Sequence, residues 1–98
     1  RPVFAERQVQ VESARILGKN KNVLKLQVRD IHGTRMDAMY FGDVNTFVEY
    51  VREKFGDIAC ECLLRGHGHG IVMAFTYYPD INEYQGVRTP QIVIQNYK

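Results

Sequence analysis

Three clusters of side chains in this sequence have residue types and spacings that could do chemistry. In Leu24-Lys25-Leu26-Gln27-Val28-Arg29, a polar or cationic group recurs at every second position. In TYYPDINEYQGVRTPQIVIQNYK, Thr76 to Lys98, four tyrosines surround a two-residue Gln85-Gly86 turn and Arg88 follows closely. In CECLLRGHGHG, Cys60, Cys62, His67 and His69 bring two thiols and two imidazoles together. Cations repeating along a strand beside rings suit a flexible polyanion that carries flat bases, the chemistry of single-stranded nucleic acid. Thiols with imidazoles suit zinc.

The zinc reading fails on spacing. Structural sites favour C-x2–4-C with H-x3–5-H, and this stretch offers C-x-C with H-x-H. In a helix, positions 60 and 62 point about 200° apart and cannot share an ion. An exposed, glycine-flanked histidine pair reads instead as a flexible loop, so no metal is expected. A zinc titration that raised the melting temperature stoichiometrically would overturn that reading. One intervening residue also leaves the two cysteines too close for an ordinary disulfide. A reduced compartment, the cytoplasm, follows. No catalytic residue is expected either. There is no G-x-S-x-G, no H-E-x-x-H and no phosphate-binding glycine loop. Asp30 and His32 lack a nucleophile or third group, and Asp30 reads as the cap of the His32-Gly33 turn.

The totals bound the rest. Ninety-eight residues make one domain, and 45% apolar with 24% charged residues is globular chemistry rather than disorder. No apolar run approaches the roughly 20 residues that span a bilayer, so no membrane partner is expected. The net charge of +2 is mild, and polyanion binding must therefore come from how charge is distributed. The chain starts at Arg1 without a signal pattern, which reads as a processed chain or, in preference, as a domain, 1–98, excised from a longer chain.

The elements that position these side chains follow from periodicity. The opening Arg1-Pro2-Val3-Phe4 reads as a linker end tied down by two apolar side chains. From Arg7 the pattern alternates, with Val9 and Val11 inward. The phase then slips near Ser13-Ala14, leaving Ala14 and Ile16 inward, as a bulge would. Gly18 to Asn22 turns the chain, and Leu24, Leu26 and Val28 form the inner side of a second strand. A third runs from Thr34 to Phe41, with Met36 and Ala38 inward. Asp43 caps a helix whose stripe is Val44, Phe47, Val48, Val51 and Phe55, ended by Gly56. Residues Asp57 to Arg65 fit a strand or a second short helix with Asp57 as N-cap; the helix is preferred. Ile71 to Tyr78 and Gln91 to Tyr97 complete the set.

Five strands with a helix between the third and fourth, and a bulged first strand, fit a mainly-β, five-stranded OB-fold barrel. An SH3-like barrel or a small α+β sheet uses the same elements. OB barrels bind ligands across strands 2 and 3, between the loops joining strands 1 to 2 and 4 to 5. That geometry selects Lys19, Lys21, Lys25, Gln27, Arg29, Arg35, Tyr78, Tyr84 and Arg88. The acids Asp43, Glu49, Glu53 and Asp57 are expected on the helix and its flank. Two plainer readings stand beside this one. Alternating cations also keep an exposed strand soluble, and at least two of Tyr77, Tyr78, Tyr84 and Tyr97 are expected to bury their rings.

With the residues laid out, the chain resembles the C-terminal OB domain of RecJ, the single-stranded-DNA-specific exonuclease of the DHH phosphoesterase superfamily. The resemblance covers essentially the whole chain. It rests on RPVF, LKLQVRD, MDAMYFG and, most specifically, YYPDINEYQGVRTPQIVIQNY. It implies a parent enzyme that degrades single-stranded DNA from the 5′ end with Mn²⁺ or Mg²⁺ bound in a catalytic core outside this sequence. The fragment itself would need no cofactor, and its partners would be single-stranded DNA and the parent's catalytic domains. A structural docking module and an RNA-binding OB domain are the alternative readings.

Overall fold

The alternating stretches become β1 (Phe4–Leu17), β2 (Val23–Arg29), β3 (Arg35–Tyr40), β4 (Val72–Tyr84) and β5 (Val87–Tyr97). Helices α1 (Val44–Phe55) and α2 (Asp57–Leu64) separate β3 from β4. The computed structural model describes all 98 residues, Arg1–Lys98. The strands close in the order β1-β2-β3-β5-β4, with β3 and β5 parallel and every other neighbouring pair antiparallel. This is the five-stranded OB-fold barrel expected from the pattern.

Inward residues of every strand meet in one core: Val9, Val11 and Ala14 of β1, Leu24, Leu26 and Val28 of β2, Ala38 and Tyr40 of β3, Met73 and Phe75 of β4, and Ile94 of β5. Val44, Phe47 and Val51 of α1 and Cys60 and Leu63 of α2 join the same cluster. Each fully buried Val, Leu, Ile, Met or Phe side chain among them contributes about 1.5–3 kcal/mol. The register along β1 shifts between Val11 and Ser13, so the bulge lies at Glu12-Ser13. Asp43 caps α1 by accepting from the Thr46 amide at 2.9 Å, and Gly56, at φ 96°, ends it with a bond to the Arg52 carbonyl.

Several local expectations need correction. Ile16 keeps the inward phase, opposite Leu24, yet is 40% exposed because it lies one residue from the end of β1, at the rim of the barrel. Asp57 is the first residue of α2, while Gly56 holds the cap position, so its carboxylate acts on the helix dipole and makes no capping bond. Phe4 belongs to β1, and its ring, half exposed, stacks on Tyr77 at 5.9 Å. The last two strands are also longer than their apolar stretches. Beyond Tyr77 β4 has no β1 partner, and before Gln91 β5 has no β3 partner, so both strands have a free edge at Pro79 and Pro90 and run on as a two-stranded hairpin over 81–90. Pro79 and Pro90 are tolerated there because no third strand asks for their missing N–H.

Candidate nucleic-acid interface

Strand alternation and register set out the barrel's outer side in rows. One row runs Arg15, Lys25, Met39, Val93, Tyr78 across five strands, and the next runs Ser13, Gln27, Asp37, Gln91, Asp80. A third places Arg29 opposite Arg35. Lys25, Gln27, Arg29 and Arg35 are therefore brought onto one surface. Arg15, directly opposite Lys25, is a fifth member that sequence reasoning left out. Its signal was available: Ala14 faces inward, so its neighbour must face out.

The expectation that acids gather elsewhere does not hold. Glu12 stands among the arginines, with Oε2 at 2.9 Å from Arg29 Nη2 and Oε1 at 3.2 Å from Arg35 Nε. Asp37 lies 3.8 Å from Lys25 Nζ and accepts from Gln27 Nε2. The bulge explains Glu12. An extra residue there gives β1 two consecutive outward side chains, Glu12 and Ser13, beside β2. Four cations against two carboxylates still leave this part of the surface positive. One donor on it has no acceptor: Arg29 Nε, shielded from solvent.

The flanking loops lie at opposite ends of β2 and β3, about 20 Å apart at the usual strand rise. Lys19 and Lys21 are exposed in the turn beyond the Leu24–Tyr40 pair, where Lys21 adopts φ 54° and donates to the Gly18 carbonyl. The β4–β5 hairpin leaves the barrel at the other end. Gln85 at φ 50° and Gly86 at φ 79° form the two-residue turn whose twist matches its strands. Tyr84 is 68% exposed at this tip. Arg88 pairs across the strands with Glu83, so alternation puts it on the opposite side of the hairpin from Tyr84. Tyr78 is half-buried, and the Arg1 guanidinium lies 3.9 Å from its ring centroid. Tyr77 and Tyr97 pack against the core, as two of the four tyrosines were expected to do.

Near the base of the hairpin the barrel keeps a small mouth of about 80 Å³, walled by Val9, Val28, Met36, Phe75, Tyr77 and Ile92. Glu6 and Asp30 edge it. The Tyr77 hydroxyl donates to Glu6 at 3.2 Å. Burial first, then the Glu6 charge, pushes its pKa up. Asp30 does cap the adjacent turn, accepting from the His32 and Thr34 amides at 2.8 and 2.9 Å.

The glycine-histidine loop has a packing role. Gly68 donates its N–H to the Glu12 carbonyl at 2.8 Å, and a Cβ there would come within 2.6 Å of the Val11 carbonyl oxygen. Only glycine lets this loop press against the bulge. Cys60 is buried in the core, and burial pushes its thiol pKa up, away from the thiolate a metal would need. No three His, Cys, Asp or Glu side chains gather into a metal-holding group.

No helix is long and apolar enough to cross a membrane. The family model described as RecJ OB domain matches residues 1–96. Comparisons with curated proteins and with solved structures returned no match.

Proposed function

This chain belongs to the RecJ OB domain family, and on that premise we propose that it holds single-stranded DNA for a RecJ-like 5′-to-3′ exonuclease of DNA repair and recombination. The observation that carries the proposal is the outer surface of β1–β3. There Arg15, Lys25, Arg29 and Arg35 form a positive strip that runs from the Lys19–Lys21 turn toward the exposed Tyr84 ring. Lysines and arginines along the strip meet phosphates, Gln27 offers an amide to a base or sugar, and Tyr84 supplies a stacking face. Arg88 would reach the strand from the hairpin's other side, and Tyr78 would stack only after Arg1 leaves its ring. Hydrolysis, with its Mn²⁺ or Mg²⁺, belongs to the parent's catalytic core in the cytoplasm.

Fluorescence anisotropy with a labelled oligothymidine tests the reading. Three to five neutralised phosphates give a slope of log affinity against log salt of roughly −2 to −3.5. Absence of salt-dependent binding even at low ionic strength would refute it. An RNA oligomer of matched length, run in parallel, separates the DNA reading from the RNA one.

A second reading has its own support. The side of the hairpin opposite Tyr84 carries Pro79, Ile81 and Pro90, and continues through Ile92 into the barrel mouth. Ile81 is 48% exposed. An apolar flank of this kind suits docking against the parent's catalytic domains. Apart from Arg88, which shares this side, it uses a different surface from the strip, so substitutions at Ile81 and at Lys25 separate the roles.

A further inference from the structure

We infer that Glu12, with Asp37 in a lesser part, acts as a built-in competitor of the nucleic-acid phosphates, so that binding exchanges an internal carboxylate for a phosphate. The inference rests on the reading of this surface as a nucleic-acid grip and specifies how that grip is tuned.

The geometry around Glu12 carries it. An arginine offers a side-on fork made of Nε and Nη2, matched to two oxygens of one carboxylate or phosphate. Arg29 uses half of that fork: Nη2 reaches Glu12 Oε2 at 2.9 Å, while Nε is shielded and has no acceptor. The other Glu12 oxygen is taken by Arg35 Nε at 3.2 Å. One carboxylate divided between two guanidiniums therefore leaves a donor unsatisfied. A phosphate group brings more acceptor oxygens to the same place and can complete the fork.

The competitor is also placed to be displaced. The Glu12 and Arg29 side chains keep about a third of their surface in water (30% and 33%), and Arg35 keeps 67%. Ion pairs this wet are held weakly and screened by salt. Glu12 itself is held firmly through its backbone, because the bulge turns it outward and Gly68 binds its carbonyl. Its carboxylate can thus release the arginines without any rearrangement of the barrel. Asp37 repeats the arrangement at longer range, 3.8 Å from Lys25.

Glu12→Gln keeps the shape and removes the charge. On this 98-residue chain, anisotropy with oligothymidine should show roughly threefold to tenfold tighter binding at low salt. The salt slope should steepen by about 0.7 for each cation freed. Asp37→Asn should change both in the same direction by less. Glu53→Gln on α1 removes an equal charge away from this surface and should leave the slope unchanged, which rules out an effect of net charge alone. If the native chain binds and Glu12→Gln binds equally or more weakly, with an unchanged melting temperature, Glu12 is positioning its arginines and the inference is wrong. If neither protein binds at any salt, the grip itself is refuted along with the inference. Binding by Glu12→Gln alone would support the competitor and limit the native chain to weaker contacts.

Discussion

Arg52 in the helical region lies within salt-bridge reach of three carboxylates, Glu49 and Asp57 at 3.6 Å and Glu61 at 3.1 Å. Arg29 and Arg35 on the strand surface share one. Tyrosines divide in the same way. Tyr97 sits among Tyr40, Phe47 and Tyr50, with ring centroids 4.5 to 5.6 Å away, whereas Tyr84 faces water at the hairpin tip. The same residue types are over-supplied with internal partners in one region and under-supplied in the other. Saturated side chains fix α1 to α2 and to the barrel. Unsaturated ones keep a donor or a ring face without a protein partner, and that contrast separates scaffold from surface here.

The sharpest break of the comparison comes from the saturated side. Phe47 is 1% exposed between Tyr40 and Tyr97, and Phe47→Ala should cost about 3–5 kcal/mol in urea unfolding. Next comes the unsaturated side. Reversing Lys25 and Arg29 together, each to Glu, should weaken oligothymidine binding about 30-fold or more and flatten the salt slope by about 1.4. Arg52→Glu should lower the melting temperature and leave DNA affinity alone, since its three acids would lose their common cation. If the reversals at Lys25 and Arg29 proved no more harmful to binding than Arg52→Glu, the division would collapse.

Tyr84→Ala should lose about 1 kcal/mol of binding, roughly fivefold, because base stacking starts near that value. It should change stability by less than about 0.5 kcal/mol, as expected of an exposed position. The smallest expected effect is alkaline. Burial, its largest cause, holds Tyr97 and Tyr77 above the usual phenol value of 10.0. The folded chain then keeps those protons more tightly than the unfolded one. Their contribution is fully present below pH 10 and fades as pH rises through the folded values. Tyr97→Phe should make that alkaline loss of stability shallower in thermal melts. An unchanged slope would mean that Tyr97 titrates normally.

Much of the strand surface was legible in advance. Two-residue periodicity alone assigns Lys25, Gln27 and Arg29 to the side opposite Leu24, Leu26 and Val28, and the phase slip near Ser13 marked the bulge. The hairpin's full length was not legible, because Pro79 and Pro90 forbid a central strand and nothing local says that the neighbouring strands have already stopped. Nor was the crowding of Glu12 against Arg29 and Arg35, which lie 17 and 23 positions away and meet it only once register is set.

Sequence by itself determined the apolar side of the second strand and where the capped helix begins and ends, since these depend on side-chain spacing over a few residues. Tertiary structure alone decided which charges neutralise one another, that Arg1 covers Tyr78, and that Arg88 and Tyr84 part company across the hairpin. Coulombic and stacking contacts act over a few ångströms between residues distant in the chain. Only the closed register of the sheet fixes those distances.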